Sequence, residues 1–520
     1  MSLSGGTKAT VLETSFGTFA GSDQDGARTF LGIKYAQVKN WLAAPELITS
    51  YGNKVVDATQ YGPRAPAPDL CTFEQSTLIQ CTIGAAPETL MSHSECLNLN
   101  ITVPSLHTGA AAVLPVMVFI HGGGLIMGAN SWPQWDPARL IKMSADIGMP
   151  MIVVSVNYRL GAPGNLTSDE LRSAGYLGNN SLRDQRCALE WVQKFIGGFG
   201  GDEENVTVFG ASAGAASVLH HLGCKEPLFR RAISMSGTPI MLKPLSPAVA
   251  ETSYNAVLQA LGLEYASTHD RIQKLLAMSP EDLVQKIPIT IPISPYLDGD
   301  IIPEAPSFAY LSSGTLQSLN NTWCEELLVG SCAHDGNVFY FMGLSSRLPG
   351  IASTIHTSFS RNLSASVAGA ILSAYDITPS TPDEEAMASI IELGTDIAYG
   401  LPASYYARAF RGRVASYLFT ESNPWDGMFK GKSVHLLDAV FLFQNFNKHI
   451  PDKAKMTARK IAEDFVAFAY GKAGSLWADG RTKVYGLDSG KIGGLETLVQ
   501  QANVDLDEVS AAWDLFVAGK

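Results

Sequence analysis

The chain of 520 residues has no basic tract. Its 37 lysines and arginines are outnumbered by 49 acidic residues, for a net charge of −12, and no stripe of cations is available to neutralise a phosphate backbone. Nucleic acid is therefore not an expected partner. Long apolar runs are missing too. The longest, such as Leu114–Ile120 and Met149–Val154, fall far short of the roughly 20 residues that span a bilayer as a helix. Bounded by turn or polar residues, they read as buried strands, and no membrane span is expected. The opening stretch lacks a basic segment followed by an apolar core, the mark of a secretory leader. The expectation is a cytoplasmic protein or, where a leader has been removed, a secreted one. Internal repeats and low-complexity linkers are also lacking, which favours one elaborated domain over residues 1–520 rather than a string of modules.

Cysteine is scarce and irregularly spaced. The seven residues, Cys71, Cys81, Cys96, Cys187, Cys224, Cys324 and Cys332, cannot all pair, and none sits in a CxxC or Cys/His metal spacing. No metal and no cofactor are expected. Cys71, Cys81 and Cys96 lie close in sequence, which leaves open one disulfide with a free thiol or a fully reduced set. Six Asn-x-Ser/Thr sequons, at Asn100, Asn165, Asn179, Asn205, Asn320 and Asn362, carry little weight without a leader, and Asn205 opens an expected core strand.

What is present is an alternation of short β-branched runs with helical patterns, the pattern of βαβ units and a parallel sheet. Strands are expected at Pro115–Ile120, Met151–Val156, Val206–Phe209, Arg231–Met235, Leu327–Val329 and Val414–Thr420. Helices are expected at Leu182–Phe195, Ala213–Leu222, Tyr254–Leu261, Lys453–Tyr470 and about Leu495–Val517. Thr10–Phe19 and Thr29–Tyr35 read as antiparallel strands leading into that sheet. Helical sequence over roughly 340–410, between two strands, suggests a cap inserted above the sheet.

The only G-x-S-x-G is Gly210-Ala211-Ser212-Ala213-Gly214, between an expected strand and an expected helix. A serine there occupies a tight elbow above the carboxyl edge of the sheet, and the helix N-terminus favours developing negative charge. His121-Gly122-Gly123-Gly124 follows another strand. Consecutive glycines can aim bare N–H groups at one oxygen, so Gly123 and Gly124, with Ala213, are the candidate oxyanion donors. No G-K-[ST] follows, and the run does not fit a dinucleotide loop. A serine nucleophile needs a base and an acid, expected in the chain order serine, acid, histidine. Asp335 follows the strand at Leu327–Val329 at the carboxyl edge. Of the histidines beyond it, His356, His435 and His449, the loop residue His435 is the best placed base.

These segments together resemble the type-B carboxylesterase/lipase family, which includes cholinesterases, liver-type carboxylesterases and fungal lipases. The resemblance rests on Phe30–Tyr35, Ser94–Asn100, His121–Gly124, Asn157–Gly161, Asp184–Trp191, Phe199–Asp202, the serine elbow and Met235–Gly237. It implies an α/β-hydrolase fold: a large mixed, mostly parallel sheet flanked by helices. It also implies a Ser212–Asp335–His435 triad with Gly123, Gly124 and Ala213 as oxyanion donors, and a small-molecule ester as substrate. By the same resemblance Cys71 and Cys96 fall where the family closes a loop over the active-site entrance with a disulfide.

Three positions depart from the family pattern. Ala211 stands where relatives usually carry glutamate, which points to a neutral rather than a cationic substrate. The acid is Asp335 where glutamate is usual, and Phe30–Lys34 replaces a proline-rich continuation. The expected reaction is hydrolysis of a neutral, hydrophobic ester or lactone through an acyl-enzyme. The alternatives are acyl transfer to an alcohol by the same triad and a non-catalytic, adhesion-type relative. The loop Thr72–Glu95 has only scattered apolar residues, which disfavours a lipase lid.

Overall fold

The structure is a computed structural model that describes residues 8–105, 113–315, 319, 323–477, 481–486, 495 and 504–520. Its strands are β1 (Lys8–Thr14), β2 (Gly17–Gln24), β3 (Ala27–Lys34), β4 (Ala36–Gln37), β5 (Glu46–Leu47), β6 (Val55–Asp57) and β7 (Asn98–Pro104). They continue with β8 (Leu114–Ile120), β9 (Ile152–Val156), β10 (Gly201–Ala211), β11 (Arg231–Met235), β12 (Glu326–Cys332), β13 (Arg413–Phe419) and β14 (Lys483–Tyr485). Twelve of these form one sheet in the order β1-β2-β3-β7-β9-β8-β10-β11-β12-β13-β14, with β6 beside β2. From β1 to β9 the neighbours on that path run antiparallel. From β9 onward every pair is parallel.

Parallel strands are covered by helices on both faces and can afford no polar side. The sequence obeys this: every residue of β8 (LPVMVFI) and β9 (IVVSV) is buried. The six strands expected in this region all occur, three of them, β8, β10 and β12, longer than the apolar run alone indicated. The antiparallel end corrects one expectation. Thr10–Phe19 is not a single strand but a hairpin that turns at Ser15–Phe16. The Thr14 hydroxyl accepts from the Gly17 N–H at 3.1 Å and donates to the Gly17 carbonyl at 2.7 Å, closing the turn. A two-residue turn leaves the period-two alternation intact, so the pattern runs straight through it.

Between β12 and β13 lie the helices Asn337–Phe341, Ile351–Asn362, Ala365–Ala374, Asp383–Thr395 and Leu401–Ala409, where the helical insertion was expected. The long C-terminal helix is Asp452–Ala469. Of the expected terminal helix, the described part is Leu506–Val517, and residues 496–503 lie outside the described residues. No helix among the described residues is long and apolar enough to cross a membrane.

Two of the quoted motifs are structural. Arg159 and Asp184, both fully buried, form a two-pronged ion pair, Nε to Oδ2 at 2.8 Å and Nη2 to Oδ1 at 2.6 Å. The remaining guanidinium donors reach the carbonyls of Trp41 and Ala43. Every charged atom is thereby satisfied, the condition under which a buried pair is tolerated. Three sequon asparagines, Asn100, Asn165 and Asn179, are buried and closed to glycosylation in the folded chain.

Candidate active site

The ends of β8, β10, β12 and β13 carry all the residues expected at the site. Because these strands are parallel, their carboxyl ends share one edge of the sheet, where ligands of open α/β sheets bind. Register sets the spacing: Gly210 pairs with Ile120, Ala211 with Met235, Met235 with Gly330, and Cys332 with Phe419.

At the end of β10 the chain reverses into the helix Ala213–His221 with Ser212 at φ 57° and ψ −123°. Such backbone costs on the order of 1–3 kcal/mol and persists only where its surroundings enforce it. Here the Ser212 N–H donates to the Met235 carbonyl at 2.9 Å. The glycines are dictated by contact. A Cβ on Gly214 would lie 2.1 Å from the Ile120 carbonyl oxygen, and one on Gly237 2.1 Å from the Ser212 carbonyl oxygen. One on Gly210 would lie 2.5 Å from the Gly214 backbone.

The glycine loop after β8 lies against this elbow, with a Cβ on Gly122 only 3.1 Å from the Ser212 Cβ. Gly123 and Gly124 take φ 93° and 63°, conformations open to glycine. The Gly123 carbonyl accepts from the N–H groups of Ile126 and Met127. The N–H groups of Gly123 and Gly124 themselves have no acceptor among the described residues. Ala213, as first residue of its helix, likewise has an N–H with no intrahelical partner. Three donors are thus left for a ligand oxygen.

His121, which opens the loop, is structural. Its ring stacks on Tyr158 at 4.4 Å, and the Tyr158 hydroxyl donates to the His121 carbonyl at 2.7 Å. Burial pushes the imidazole down to about 4 from its ordinary 6.5. The unfolded chain then takes up this proton first, so the stability His121 contributes is complete above about pH 6.5 and is lost as pH falls towards 4. Side-chain nitrogen NMR is expected to find His121 neutral at pH 5; a ring titrating near 6.5 contradicts the packing described.

The three expected triad residues meet. Ser212 Oγ lies 3.0 Å from His435 Nε2, and His435 Nδ1 lies 2.7 Å from Asp335 Oδ1. The second Asp335 oxygen accepts from the Cys332 N–H at 2.8 Å, and the His435 N–H donates to Asn337 Oδ1 at 2.9 Å. Asp335 and His435 are buried, and Ser212 is half-buried. Burial pushes the Asp335 carboxyl upward, while the hydrogen bond and charge of His435 oppose it. An Nδ1–H held on Asp335 leaves Nε2 as the acceptor facing Ser212, the tautomer a general base requires. Gly336 follows the acid because a Cβ there would lie 2.1 Å from the Ile391 carbonyl oxygen.

A sequence model of the carboxylesterase family matches residues 8–473. The chain belongs to the carboxylesterase family. It is 28% identical to a para-nitrobenzyl esterase of Bacillus subtilis (strain 168) across 88% of this chain and 89% of that protein. It is 31% identical, across 56% of this chain and 51% of the relative, to an inactive carboxylesterase-like protein, VdtD, of Byssochlamys spectabilis. Among solved structures, a PNB esterase superposes with a TM-score of 0.68 at 27% identity, covering 89% of this chain and 91% of the other. The fold is the α/β-hydrolase fold.

One expectation drawn from the carboxylesterase resemblance fails: Cys71 and Cys96 are not joined. Each has polar neighbours of its own. The Cys71 sulfur lies 3.5 Å from Gln134 Oε1 and 3.3 Å from Gln75 Nε2, while Cys96 is buried within reach of the Asp184 and Arg159 charges. Side-chain hydrogen bonds, not a disulfide, tie the loop down at Cys71. Cys81 is also free.

Sequence reasoning missed a layer of this carboxylesterase site. Asp438 accepts from the hydroxyls of Ser236 at 3.1 Å and Tyr417 at 2.6 Å, and Ser236 Oγ accepts from the Cys332 N–H. This network braces the turn that presents Asp335. Ser236 lies in the quoted segment Met235–Gly237 and Asp438 three residues after His435, but nothing local marks them as partners across 202 residues. The Tyr399 ring, 5.2 Å from that of His435, comes from the helical insertion and leaves no mark in the pattern.

Proposed function

We propose that the chain hydrolyses carboxylic esters through an acyl-enzyme on Ser212. The observation that carries this reading is the unbroken line from Ser212 Oγ through His435 to Asp335, with contacts of 3.0 and 2.7 Å. His435 Nε2 takes the hydroxyl proton as Oγ attacks the ester carbonyl, and Asp335 holds the imidazolium in place. The N–H groups of Gly123, Gly124 and Ala213 receive the oxyanion. The tetrahedral adduct collapses with the His435 proton passing to the departing alkoxide, which leaves as alcohol. Water attacks the acyl-enzyme with His435 again as base, and the carboxylic acid departs as Ser212 regains its proton.

The substrate is a neutral ester or lactone with an apolar portion. Supporting this are the buried, uncharged Ala211 next to the nucleophile and an apolar groove beyond the glycine loop. Ile126 joins Pro66, Pro163, Leu283, Ile291 and Ile293 in that groove. Product analysis on a panel of neutral esters, with and without a short alcohol, tests the reading. Free acid is expected as the main product under both conditions. An alkyl ester that dominates at low alcohol concentration would replace hydrolysis by acyl transfer.

A further inference from the structure

One carboxyl near the triad has no part in the mechanism above. Glu74 stands in the short helical segment that follows Cys71 and is only 3% exposed. Its Oε1 accepts two hydrogen bonds, from Gln134 Nε2 and from Trp135 Nε1, both at 2.9 Å. Both donors are neutral, and among the described residues no cation pairs with the carboxyl. Trp135 packs its ring against Phe119 of β8 and Phe443, at 6.1 and 5.7 Å. Those residues belong to the elements that carry the glycine loop and that follow His435.

The segment bearing Glu74 is also fastened to the loop bearing His435. Asn423 Nδ2 donates to the Ile79 carbonyl at 3.3 Å, and the Phe429 N–H donates to Gln80 Oε1 at 3.2 Å. Glu74 and His435 therefore sit on mutually bonded segments, and the imidazole charge is among the influences that hold the carboxyl down. On the strand side, Ala211 brings no charge to Ser212.

We propose that Glu74 is a positioning residue for His435: its carboxylate, delivered from the loop facing the nucleophile, stabilises the imidazolium formed when His435 takes the Ser212 proton. An anion held in a dry site by fixed dipoles acts strongly on a charge that develops nearby. The inference rests on the triad reading of the site.

The groups facing Glu74 are few. Gln134 and Trp135 are neutral, His435 is the reacting base, and Cys71 on its own segment is a thiol that burial pushes up to about 11. Burial pushes the Glu74 carboxyl up to about 7, with the two hydrogen bonds and the His435 charge working against that rise. Its ionisation consequently falls within the working pH range. As pH drops through 7 the carboxylate is lost, and its support of the imidazolium is lost with it.

Glu74→Gln keeps the shape and an oxygen for both donors while removing the charge. With a small soluble ester, E74Q is expected to lower kcat about tenfold, the equivalent of one pK unit of coupling. It is also expected to label at Ser212 with a fluorophosphonate to completion, but more slowly than wild type by a similar factor. Below pH 7, wild-type kcat is expected to fall more steeply than one ionisation allows, and E74Q to follow a single ionisation. Trp135→Phe, which removes one donor to the carboxylate, is expected to move the extra inflection to higher pH and serves if E74Q does not fold. Wild-type kcat and pH slope in E74Q, or an unmoved inflection in W135F, overturns the role of Glu74 while leaving the triad standing. Failure of wild type itself to label at Ser212 removes the triad reading instead.

Discussion

Replacing Ser212 with alanine is expected to lower kcat by about a millionfold, the scale on which serine triads fail when the nucleophile is removed. The loss is this large because without Ser212 no acyl-enzyme forms, and His435 and Asp335 are left without the hydroxyl they activate. What survives comes from substrate binding and from the Gly123, Gly124 and Ala213 donors, which still favour an oxyanion. Stability is expected to change little, because alanine inherits the same φ of 57°. Glycine at position 212 relieves that strain, so S212G should be more stable than S212A by about 1 kcal/mol. Turnover assays and denaturant unfolding of the two variants check both halves. Residual activity within tenfold of wild type in S212A contradicts the assignment.

Gly214→Val is expected to cost about 4 kcal/mol or more and to leave little soluble, active protein. A Cβ at Gly214 would meet the backbone oxygen of Ile120 at 2.1 Å, and no side chain can rotate to make room. To relieve the clash, the helix Ala213–His221 must lift away from β8, and the elbow opens with it. Overpacking against backbone belongs to the short list of mechanisms that produce such losses. A control comes from Gly369, in the helix Ala365–Ala374, where an added Cβ meets nothing within 4 Å. G369A is expected to stabilise by up to about 1 kcal/mol through helix propensity. Unfolding midpoints and activity decide the comparison. A G214V protein with wild-type stability would show that the elbow is not built as described.

Much of this was legible because the chemistry of the site is written in local sequence. A serine between glycines, a run of three glycines and an acid ahead of a histidine each follow a strand, and parallel strands deliver their carboxyl ends to one edge. Ser212, Asp335 and His435 were candidates because of the serine motif, their order along the chain and the strands they follow. What was not legible depends on contacts between distant segments. The hairpin at Ser15–Phe16 hides because a tight turn preserves alternation. The strand β7, with buried asparagines, hides because its polar residues bond to other backbone: Asn98 to the Pro63 carbonyl, Asn100 to the Gly32 N–H and the Asn130 carbonyl. Cys71 and Cys96 stand at family positions, yet both are free thiols, and Cys71 hydrogen-bonds Gln134 and Gln75 instead. Glu74 carries no local mark of burial, because Gln134 and Trp135, which close over it, stand 60 and 61 residues away.

The central claim is that Ser212 is a nucleophile activated by His435. Incubation of the wild-type protein with a fluorophosphonate, followed by peptide mass spectrometry, tests it most directly. One adduct on Ser212 is expected, absent in S212A and slowed strongly in His435→Ala. An unlabelled wild-type protein, or an adduct on any other serine, contradicts the account.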